Sequence, residues 1–439
     1  MVAPPGIGTR LRAGLAWNLV AAAAAQGGTF AVNLIVANLL GRRVFGEFAM
    51  VQATWLTVAA VAQLATGYTA AKYVAELRAT DPDRAGRVLG LCAAVSAAMA
   101  GLAGLALGLG ADRLASDVLH APHLAPALRL VALAAGLAVF NGFQTGALAG
   151  LEAYRTLAVA SAPGGAAAVL VAVGAARAGG LEAVLTGLVL SALLQWAALF
   201  LGLRAELRRH GIVARYVGLT REAGLLGRFT LPAALSGLVS MSALWLAQAW
   251  LARQPDGYEQ LALYGAANSF RAMVLFFPAV AHGVGLSMLN NQRGLGDQAR
   301  YRRVFWTSVG LATGSVVGGG LVAAGGGPWL LAAFGKPFVE AHAVLVVLML
   351  AAIAEAVAAA VYQIVQAREQ MWLSLLAVVL PRDAAIVLGS WLLAPGYGAL
   401  GLAWSYALAC GLALASVAVI VRRLGLGLGD RAPGLAPVG

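Results

Sequence analysis

Long apolar stretches follow one another along almost the whole chain, and they constrain the fold more than any other feature. A helix that crosses a membrane needs about 20 mostly apolar residues. The 439 residues contain twelve such stretches, separated by short polar gaps. Their approximate ranges are 13–40, 45–74, 86–110, 126–150, 156–178, 181–204, 226–252, 260–290, 304–326, 341–367, 371–393 and 397–421. We therefore expect an all-α polytopic membrane protein with about twelve transmembrane helices.

The composition and the positions of the charges support a membrane location. The chain is 61% hydrophobic and 11% charged, which leaves too little polar surface for a water-soluble protein of this size. With the N-terminus in the cytoplasm, 21 of the 30 Lys and Arg residues fall in cytoplasmic segments and 7 in outer loops. This asymmetry is the positive-inside bias. It accounts for the net charge of +12 without a nucleic-acid partner and predicts that both termini are cytoplasmic.

The two halves of the sequence resemble each other at a constant offset of 216 to 218 residues. Gly41 then meets Gly257, Gly180 meets Gly396, Tyr154 meets Trp372 and Pro163 meets Pro381. A unit of six spans returns the chain to its starting side, so the second copy has the orientation of the first. The predicted divisions are an N-terminal six-helix lobe (1–204), a basic cytoplasmic linker (205–225), a C-terminal six-helix lobe (226–423) and a flexible cytoplasmic tail (424–439).

Two parallel six-helix lobes of this kind enclose a central cleft, and interrupted spans at matching places mark its binding region. Pro163 and Gly164 lie in span five, and Pro381 lies in span eleven. Since proline removes a backbone donor and kinks a helix, we predict hinges at these three residues. Packing kinks without a substrate role are the alternative, and they fit Pro163 better than Pro381.

Charged residues inside the spans are the second pointer to function. Arg382 and Asp383 follow Pro381 directly, and each opposes insertion by about 2.5–3.5 kcal/mol unless it is paired or hydrated. Neighbouring helix positions point about 100° apart, so we expect Glu355 in span ten to pair with Arg382. Such a pair either joins spans ten and eleven or takes part in transport. Glu355, Asp383 and His282 are the candidates for coupling transport to an ion.

Polar side chains form stripes on several spans. Tyr264, Asn268 and Arg271 recur at helical spacing in span eight, and Gln26 and Asn33 do so in span one. Interhelical hydrogen bonding explains any one such residue, and an ion pair with Glu76 is the alternative for Lys72. Together the stripes predict a wet, positively charged cleft that binds an anionic group. The candidate substrate-binding residues are Arg271, Arg382, Asn268, Lys72, Gln26, Asn33, Gln63 and Tyr264.

Motifs of enzymatic chemistry are missing from the sequence. It contains neither the phosphate-binding pattern GxxxxGK[ST] nor the zinc pattern HExxH. The longest predicted loop has about twenty residues, which is short for the extramembrane domain of a membrane glycosyltransferase. We therefore expect a carrier rather than an enzyme, with no cofactor and no metal site.

Two segments resemble polysaccharide-exporting flippases. LLGRRVFGEFAMVQATWLTVAAVAQLATGYTAAKYVAE (Leu39–Glu76) is similar to the turn and second span of that family, and GALAGLEAYRTLAV (Gly146–Val159) is similar to its junction of spans four and five. The chain thus looks like an O-antigen-type oligosaccharide flippase of the multidrug/oligosaccharidyl-lipid/polysaccharide (MOP) exporter superfamily.

The resemblance implies the MATE-like fold and a transport function. Such proteins turn a lipid-linked oligosaccharide on a polyprenyl pyrophosphate carrier from the cytoplasmic to the outer leaflet by alternating access. The implied location is the bacterial cytoplasmic (inner) membrane, with membrane lipids around the protein and glycan polymerases or glycosyltransferases as possible partners. Expected products are surface polysaccharides or lipopolysaccharide.

Two other functions remain open. One is a cation-coupled multidrug extruder of the same fold, a class that typically uses an acidic residue in the first span, where this chain has Asn and Gln. The other is a scaffold that organises glycan-synthesis enzymes without transporting anything. Turnover of a lipid-linked sugar in vesicles separates the three, because an extruder moves dyes and a scaffold moves nothing.

Overall fold

The computed structural model describes residues 7–218, 222, 231–295, 298–366 and 371–423. In parts of these helices, chiefly 7–16, 231–234, 280–302 and 363–366, only the backbone is described. The predicted tail at 424–439 lies outside the described residues, as does most of the linker beyond residue 218. Every element in the described part of the chain is helical.

Thirteen α-helices are found among the described residues. They are α1 (Ile7–Ala62), α2 (Thr66–Leu77), α3 (Pro82–Arg113), α4 (Ala125–Gly150), α5 (Tyr154–Ala178), α6 (Gly180–Arg209), α7 (Leu231–Ala252), α8 (Gly257–Leu295), α9 (Gln298–Gly325), α10 (Gly327–Ala332), α11 (His342–Gln366), α12 (Met371–Ser374) and α13 (Leu380–Arg423). Short segments of 3₁₀ or π-helix cover Leu114–Val118, Pro122–Leu124, Lys336–Ala341 and Leu375–Val379.

The helices confirm an all-helical protein that spans a membrane. In the described part of the chain, eight helical stretches are long and apolar enough to cross a bilayer, judged by length and composition. Two of them, Ala22–Ala62 and Trp372–Arg423, have 41 and 52 residues, about twice the length that one crossing needs. The count of twelve crossings stays a prediction.

Glycines divide the two longest helices. Gly41 in α1 has φ 80° and ψ 176°, and Gly398 in α13 has φ 54° and ψ −130°. A side chain at these φ values is strained, so each helix changes direction there without a loop. Gly180, between α5 and α6, has φ 68° and lies 218 residues before Gly398. This spacing agrees with the offset between the two halves.

A break in the second predicted span was not expected. Helix α1 ends at Ala62 and α2 begins at Thr66, and the intervening Leu64 and Ala65 have positive φ values of 44° and 53°. The backbone N–H and the hydroxyl of Thr66 both donate to the carbonyl oxygen of Gln63, at 3.0 and 2.9 Å. Residues 63–65 contain no proline or glycine, so the sequence did not predict this break.

The helices pack in two sets that touch through α1. Helices α1–α6 pack against one another, α7–α13 do the same, and α1 also contacts α7 and α8. Small residues allow close approach within the first set. A methyl group at Gly67 of α2 would overlap the carbonyl oxygen of Gly142 on α4. We call α1–α6 the first helical set and α7–α13 the second helical set.

Interactions between the two sets gather at the end that carries Gly41. There Arg42 lies between Glu340, with 2.7 Å between Nη1 and Oε2, and Glu259, at 3.7 Å. The amide of Asn38 donates to the carbonyl oxygen of Ala333 at 2.5 Å. We call Arg42, Glu259 and Glu340 the latch.

Aromatic rings extend this contact into the interior. Five phenylalanine rings contact one another, and the centroids of contacting rings lie 5.4 to 6.0 Å apart. Most of these pairs are edge to face, a geometry that stabilises the packing beyond the burial of apolar area. The rings are Phe30 and Phe45 of α1, Phe270 of α8, and Phe334 and Phe338 before α11. Beside them the hydroxyl of the partly buried Tyr258 donates to the carbonyl oxygen of Leu119 at 3.1 Å. Burial, and secondarily Glu47, raise the pKa of Tyr258, so it remains a donor.

The described part of the linker lies along the start of α3. Helix α6 continues to Arg209, past the predicted lobe boundary at 204, and an extended segment follows. The amide of Arg215 donates to the carbonyl oxygen of Gly86 at 2.9 Å, and its guanidinium pairs with Asp83 at 2.6 Å. Buried Glu222 pairs with Arg84 at 3.2 Å and Arg87 at 3.6 Å. The linker is thus docked on the first helical set.

Replacing Gly41 with alanine tests the division of α1. A methyl group there meets no atom within 4 Å, so the backbone angle alone opposes it, and we expect a loss of about 1–3 kcal/mol of stability. Gly27 of the same helix also has open space and an ordinary φ, so Gly27→Ala should be neutral or stabilise by about 0.5–1 kcal/mol. Melting of the detergent-purified variants compares the two; equal melting temperatures would contradict the strain argument.

Candidate functional site

A cavity of about 210 Å³ lies between the two helical sets. Its walls come from both halves of α1, from the middle of α7 and from the first half of α8. The lining residues are Asn33, Phe45, Ala49, Gln52, Ala53, Leu56, Thr57, Met241, Leu244, Trp245, Gln248, Leu261, Tyr264, Gly265, Asn268 and Ser269. Leu56 and Met241 are nearly half exposed, so the cavity opens beside them. All sixteen side chains are uncharged.

Two hydrogen bonds at the cavity join the first helical set to the second. The amide nitrogen of Asn33 donates to the hydroxyl of Ser269 at 3.2 Å. The indole nitrogen of Trp245 donates to the hydroxyl of Thr54 at 2.9 Å, and that hydroxyl donates to the carbonyl oxygen of Met50. With its N–H occupied in this way, Trp245 can offer only its ring face to a ligand.

Some polar atoms at the cavity have no partner within the described part of the chain. These atoms are Oδ1 of Asn33 and the hydroxyl of Tyr264, and both are buried. A buried polar group without a hydrogen bond costs about 1–3 kcal/mol, and such groups in native proteins are usually satisfied by water or a ligand. A ligand that exchanges hydrogen bonds with these atoms would remove the penalty.

Arg271 lies one turn beyond the cavity and is held by three side chains. Its Nε donates to Oδ1 of Asn268 at 2.9 Å, and its Nη1 donates to Glu355 and, at 3.0 Å, to the hydroxyl of Tyr406. The guanidinium carbon lies 4.7 Å from the Tyr406 ring centroid, a cation–π contact. The Tyr406 hydroxyl in turn donates to Oε2 of Glu355 at 3.1 Å. The arginine side chain is only 11% exposed.

Arg382 and Asp383 form a second neutral group. Nε of Arg382 donates to Oδ1 of Asp383 at 2.7 Å, and Nη2 donates to the hydroxyl of Ser240 at 2.6 Å. That hydroxyl donates to Oδ2 of Asp383 at 2.8 Å. Asp383 is 2% exposed, and Arg382 is 31% exposed. The cluster joins α7 to α13.

The charge arrangement corrects one expectation. The predicted pairing of Glu355 with Arg382 is wrong, because Glu355 pairs with Arg271 and Arg382 pairs with its own neighbour. Arg271 and Arg382 are each matched by one carboxylate within the second helical set and do not line the cavity, so a positively charged cleft stays a prediction. Pairing removes the large cost of an isolated charge inside the membrane. A role in ion coupling for Glu355 and Asp383 stays a prediction.

The remaining substrate-binding candidates are dispersed. Gln26 lies on α1 outside the cavity lining, and the amide of Gln63 donates to the carbonyl oxygen of Ala138 at 3.2 Å, at the break after α1. Lys72 is exposed on α2, 5.4 Å from the Tyr73 ring centroid. Of the eight candidates, the cavity brings together Asn33, Tyr264 and Asn268. Binding by any of the eight stays a prediction.

The predicted hinges differ from the observed interruptions. Helix α5 is continuous through Pro163 from Tyr154 to Ala178, and Gly164 packs against Gln195 of α6. A π-helical turn at Leu375–Val379 ends two residues before Pro381, whose backbone nitrogen has no hydrogen to donate. His282 lies in α8, and its side chain is outside the described residues. Hinge motion at these positions stays a prediction.

The sequence argument missed several cavity residues. Gln52, Thr57 and Trp245 line the cavity but do not stand out from the apolar background of their spans. Tyr406, which completes the charge cluster around Arg271, is equally inconspicuous, whereas Ser240 belongs to a polar stripe on span seven with Ser236 and Gln248. Helical spacing from Ser240 to Gln248 was the available signal, but tertiary packing decides which face meets the cavity.

Solved structures with the same fold are known. An inward-facing multidrug resistance MATE family transporter of the MOP superfamily matches with a TM-score of 0.73 over 91% of this chain and 94% of its own. An outward-facing conformation described in the same terms matches at 0.70, over 95% of both chains. A MOP superfamily transporter from Pyrococcus furiosus, described as having a binding pocket of reverse polarity that suggests a different function, matches at 0.71 over 95% of both.

These matches establish the architecture. Identity is 14% in each case, so they show the fold alone. No protein-family model matches the chain, and no curated protein matches its sequence. The chain has the MATE-like fold seen in these solved MOP superfamily transporters.

A double-mutant cycle on Arg271 and Glu355 tests the first charge cluster. Removing one partner leaves the other charge unpaired, so Arg271→Ala and Glu355→Gln should each destabilise, by about 1–3 kcal/mol given the partial exposure of Glu355. The double variant should lose less than the sum. Melting of purified protein in detergent measures the effect. Arg129 and Asp112 form an exposed pair and serve as the control, for which the interaction energy from the same cycle should be less than about 1 kcal/mol. Strictly additive losses at Arg271 and Glu355 would refute their pairing.

Proposed function

We propose that the protein is a flippase for a lipid-linked oligosaccharide. It moves a polyprenyl-pyrophosphate-linked glycan from the cytoplasmic to the outer leaflet of the bacterial cytoplasmic membrane by alternating access. The products serve surface polysaccharide or lipopolysaccharide synthesis. Membrane lipids surround it, and glycan polymerases or glycosyltransferases are candidate partners. Both termini are assigned to the cytoplasm.

The observation that carries this proposal is the chemistry of the cavity between the two sets. Amide, hydroxyl and indole groups line it together with aliphatic side chains, and none of its lining residues is charged. A sugar headgroup is neutral, donates and accepts hydrogen bonds through hydroxyls, and has an apolar ring face suited to an aromatic surface such as Trp245. Ligand sites of this composition fix orientation with a few polar groups.

The same chemistry disfavours a cation-coupled drug extruder. A cationic drug is stabilised by a carboxylate in a site of low dielectric, and none of the cavity-lining residues provides one. The carboxylates of Glu355 and Asp383 are already matched by arginines. A transporter of this fold with a pocket of reverse polarity illustrates that pocket charge varies within the fold, so this pocket has to be interpreted from its own residues.

The contacts between the two sets support alternating access. The latch and the phenylalanine rings hold the sets together at the Gly41 end, and the cavity opens beside Leu56 and Met241. By the charge distribution of the sequence, the Gly41 end is the outer one. We therefore assign this conformation as open towards the cytoplasm. Export then requires that these contacts separate.

Transport in proteoliposomes tests the function. Reconstituted wild-type protein should turn over a fluorescent polyprenyl-diphosphate oligosaccharide, and Asn33→Ala or Tyr264→Phe should reduce the rate roughly tenfold, since each loses a hydrogen bond worth about 1–1.5 kcal/mol. Asn141→Ala is the matched control, because Asn141 lies on α4 outside the cavity lining. Movement of cationic dyes instead of the glycolipid would indicate an extruder, and movement of neither would indicate a scaffold.

Charge reversal in the latch tests the conformational assignment. Arg42→Glu should favour separation at the Gly41 end, and Arg42→Glu with Glu340→Arg should restore closure. Because the pair is partly exposed, we expect a shift of about 0.2–1 kcal/mol. Spin labels at the exposed positions Ser116 and Tyr397, in a cysteine-free background, report the distance. Arg129→Glu, which breaks a pair within the first set, should leave it unchanged; an unchanged distance in Arg42→Glu would contradict the assignment.

A further inference from the structure

We infer that Arg271 is a positioning residue, which fixes the Asn268 amide so that its amino group is left to donate to a ligand oxygen in the cavity. This inference rests on the proposed function and changes the role expected of Arg271. The guanidinium would act through Asn268 instead of binding an anionic group itself.

The first step follows from the chemistry of the guanidinium. Arginine has N–H donors and no acceptor. Nε of Arg271 lies 2.9 Å from the side chain of Asn268, so the atom of Asn268 that faces it must be the carbonyl oxygen. An amide that accepts with its oxygen has its two N–H donors left. Since Asn268 lines the cavity, these donors are its contribution there.

The second step is that Arg271 cannot turn away. Glu355 of α11 and Tyr406 of α13 both accept from Nη1, and the Tyr406 ring lies against the guanidinium. Two helices thus hold the group from sides other than that of Asn268. Alternative arginine orientations would break the pair with Glu355, which is costly inside a membrane protein. The Asn268 orientation is therefore fixed before any ligand arrives.

Asn33, on another wall of the cavity, is oriented the other way, so that its carbonyl oxygen rather than its amino group is left for a ligand. The hydroxyl of Ser269 donates to the carbonyl oxygen of Gly265 at 2.9 Å. Its single hydrogen is thus used, and it can only accept from Asn33. Asn33 therefore presents its amino group to Ser269 at 3.2 Å, and its oxygen is the atom without a partner.

The two amides together define a ligand class. One offers an acceptor and the other a donor, and the orientation of each is set by a neighbouring side chain, Ser269 for Asn33 and Arg271 for Asn268. A hydroxyl both donates and accepts, so the hydroxyls of a sugar headgroup can satisfy both amides. A cation could use only the Asn33 oxygen, and an anion could use only the Asn268 amino group. The pair thus selects for polyhydroxylated headgroups.

A cycle of binding measurements tests the positioning role. Purified protein in lipid nanodiscs is titrated with farnesyl-diphosphate-linked N-acetylglucosamine, and the dissociation constant is measured alongside the melting temperature. Asn268→Ala should weaken binding about tenfold, the effect of one lost hydrogen bond. Arg271→Gln with Glu355→Gln removes both charges together and allows the Asn268 amide to turn, so a similar loss is expected. Arg271→Lys, which can only donate, should stay within about threefold of wild type.

Non-additivity is the decisive result, because a merely structural role does not produce it. In the Asn268→Ala background, Arg271→Gln with Glu355→Gln should change the dissociation constant no further, even where the melting temperature falls. Asn141→Ala is again the control and should bind normally. If the wild-type protein binds the probe but the losses from Asn268→Ala and from Arg271→Gln with Glu355→Gln add up, the positioning role is overturned and the proposed function is not. A wild-type protein that does not bind the probe would overturn the proposed function and this inference with it.

Discussion

A charge inside a membrane protein must be matched, and this requirement organises the second helical set. Arg271 with Glu355 and Tyr406, and Arg382 with Asp383 and Ser240, each form a closed group of hydrogen bonds and opposite charges. The first joins α8, α11 and α13, and the second joins α7 and α13. Removing either partner would leave a charge without compensation in a region of low dielectric. The helices of this set are thus held together by the groups that would otherwise oppose insertion.

Matched charges leave the cavity neutral, and this determines which ligands suit it. A pocket with two free guanidinium groups would attract phosphate, whereas one lined by oriented amides, a tyrosine and a tryptophan suits hydroxyl groups and ring faces. The charged cluster around Arg271 still influences the cavity, because it orients Asn268. Under the proposed function, the sugar headgroup rather than the pyrophosphate of the carrier is the group that this cavity suits.

The interface between the two sets combines firm and separable contacts. Close-packed phenylalanine rings and the latch hold the Gly41 end, whereas the cavity is crossed by single hydrogen bonds such as the one from Asn33 to Ser269. Since α1 alone makes most of the contact with α7 and α8, a rotation of one set against the other disturbs few helices. Gly41 and Gly398 bend α1 and α13 through backbone angles outside the helical region.

Much of the architecture follows from composition and periodicity. Apolar runs of helical length can be satisfied only as membrane helices, because every backbone group must find its partner within the segment. The stripe of Tyr264 and Asn268 on span eight is likewise visible from spacing alone, because residues three or four apart share a face. The basic residues indicate which ends of the helices meet the cytoplasm, because Lys and Arg are enriched in cytoplasmic loops. These properties are local to each segment, and the amino-acid sequence is sufficient to state them.

Partner choice is different, because it depends on how separate segments meet. Glu355 lies 84 positions from Arg271 and 27 from Arg382, and only the packing of α8 against α11 makes the distant arginine its partner. The break at Gln63–Ala65 contains no proline or glycine from which it could have been predicted. It is stabilised by the packing of α2 against α4 through glycines. Whether a polar residue faces the cavity, a neighbour or lipid is set by the rotation of its helix within the assembly. Such long-range contacts are absent from any single helix, and so the neutral cavity became evident only from the folded arrangement.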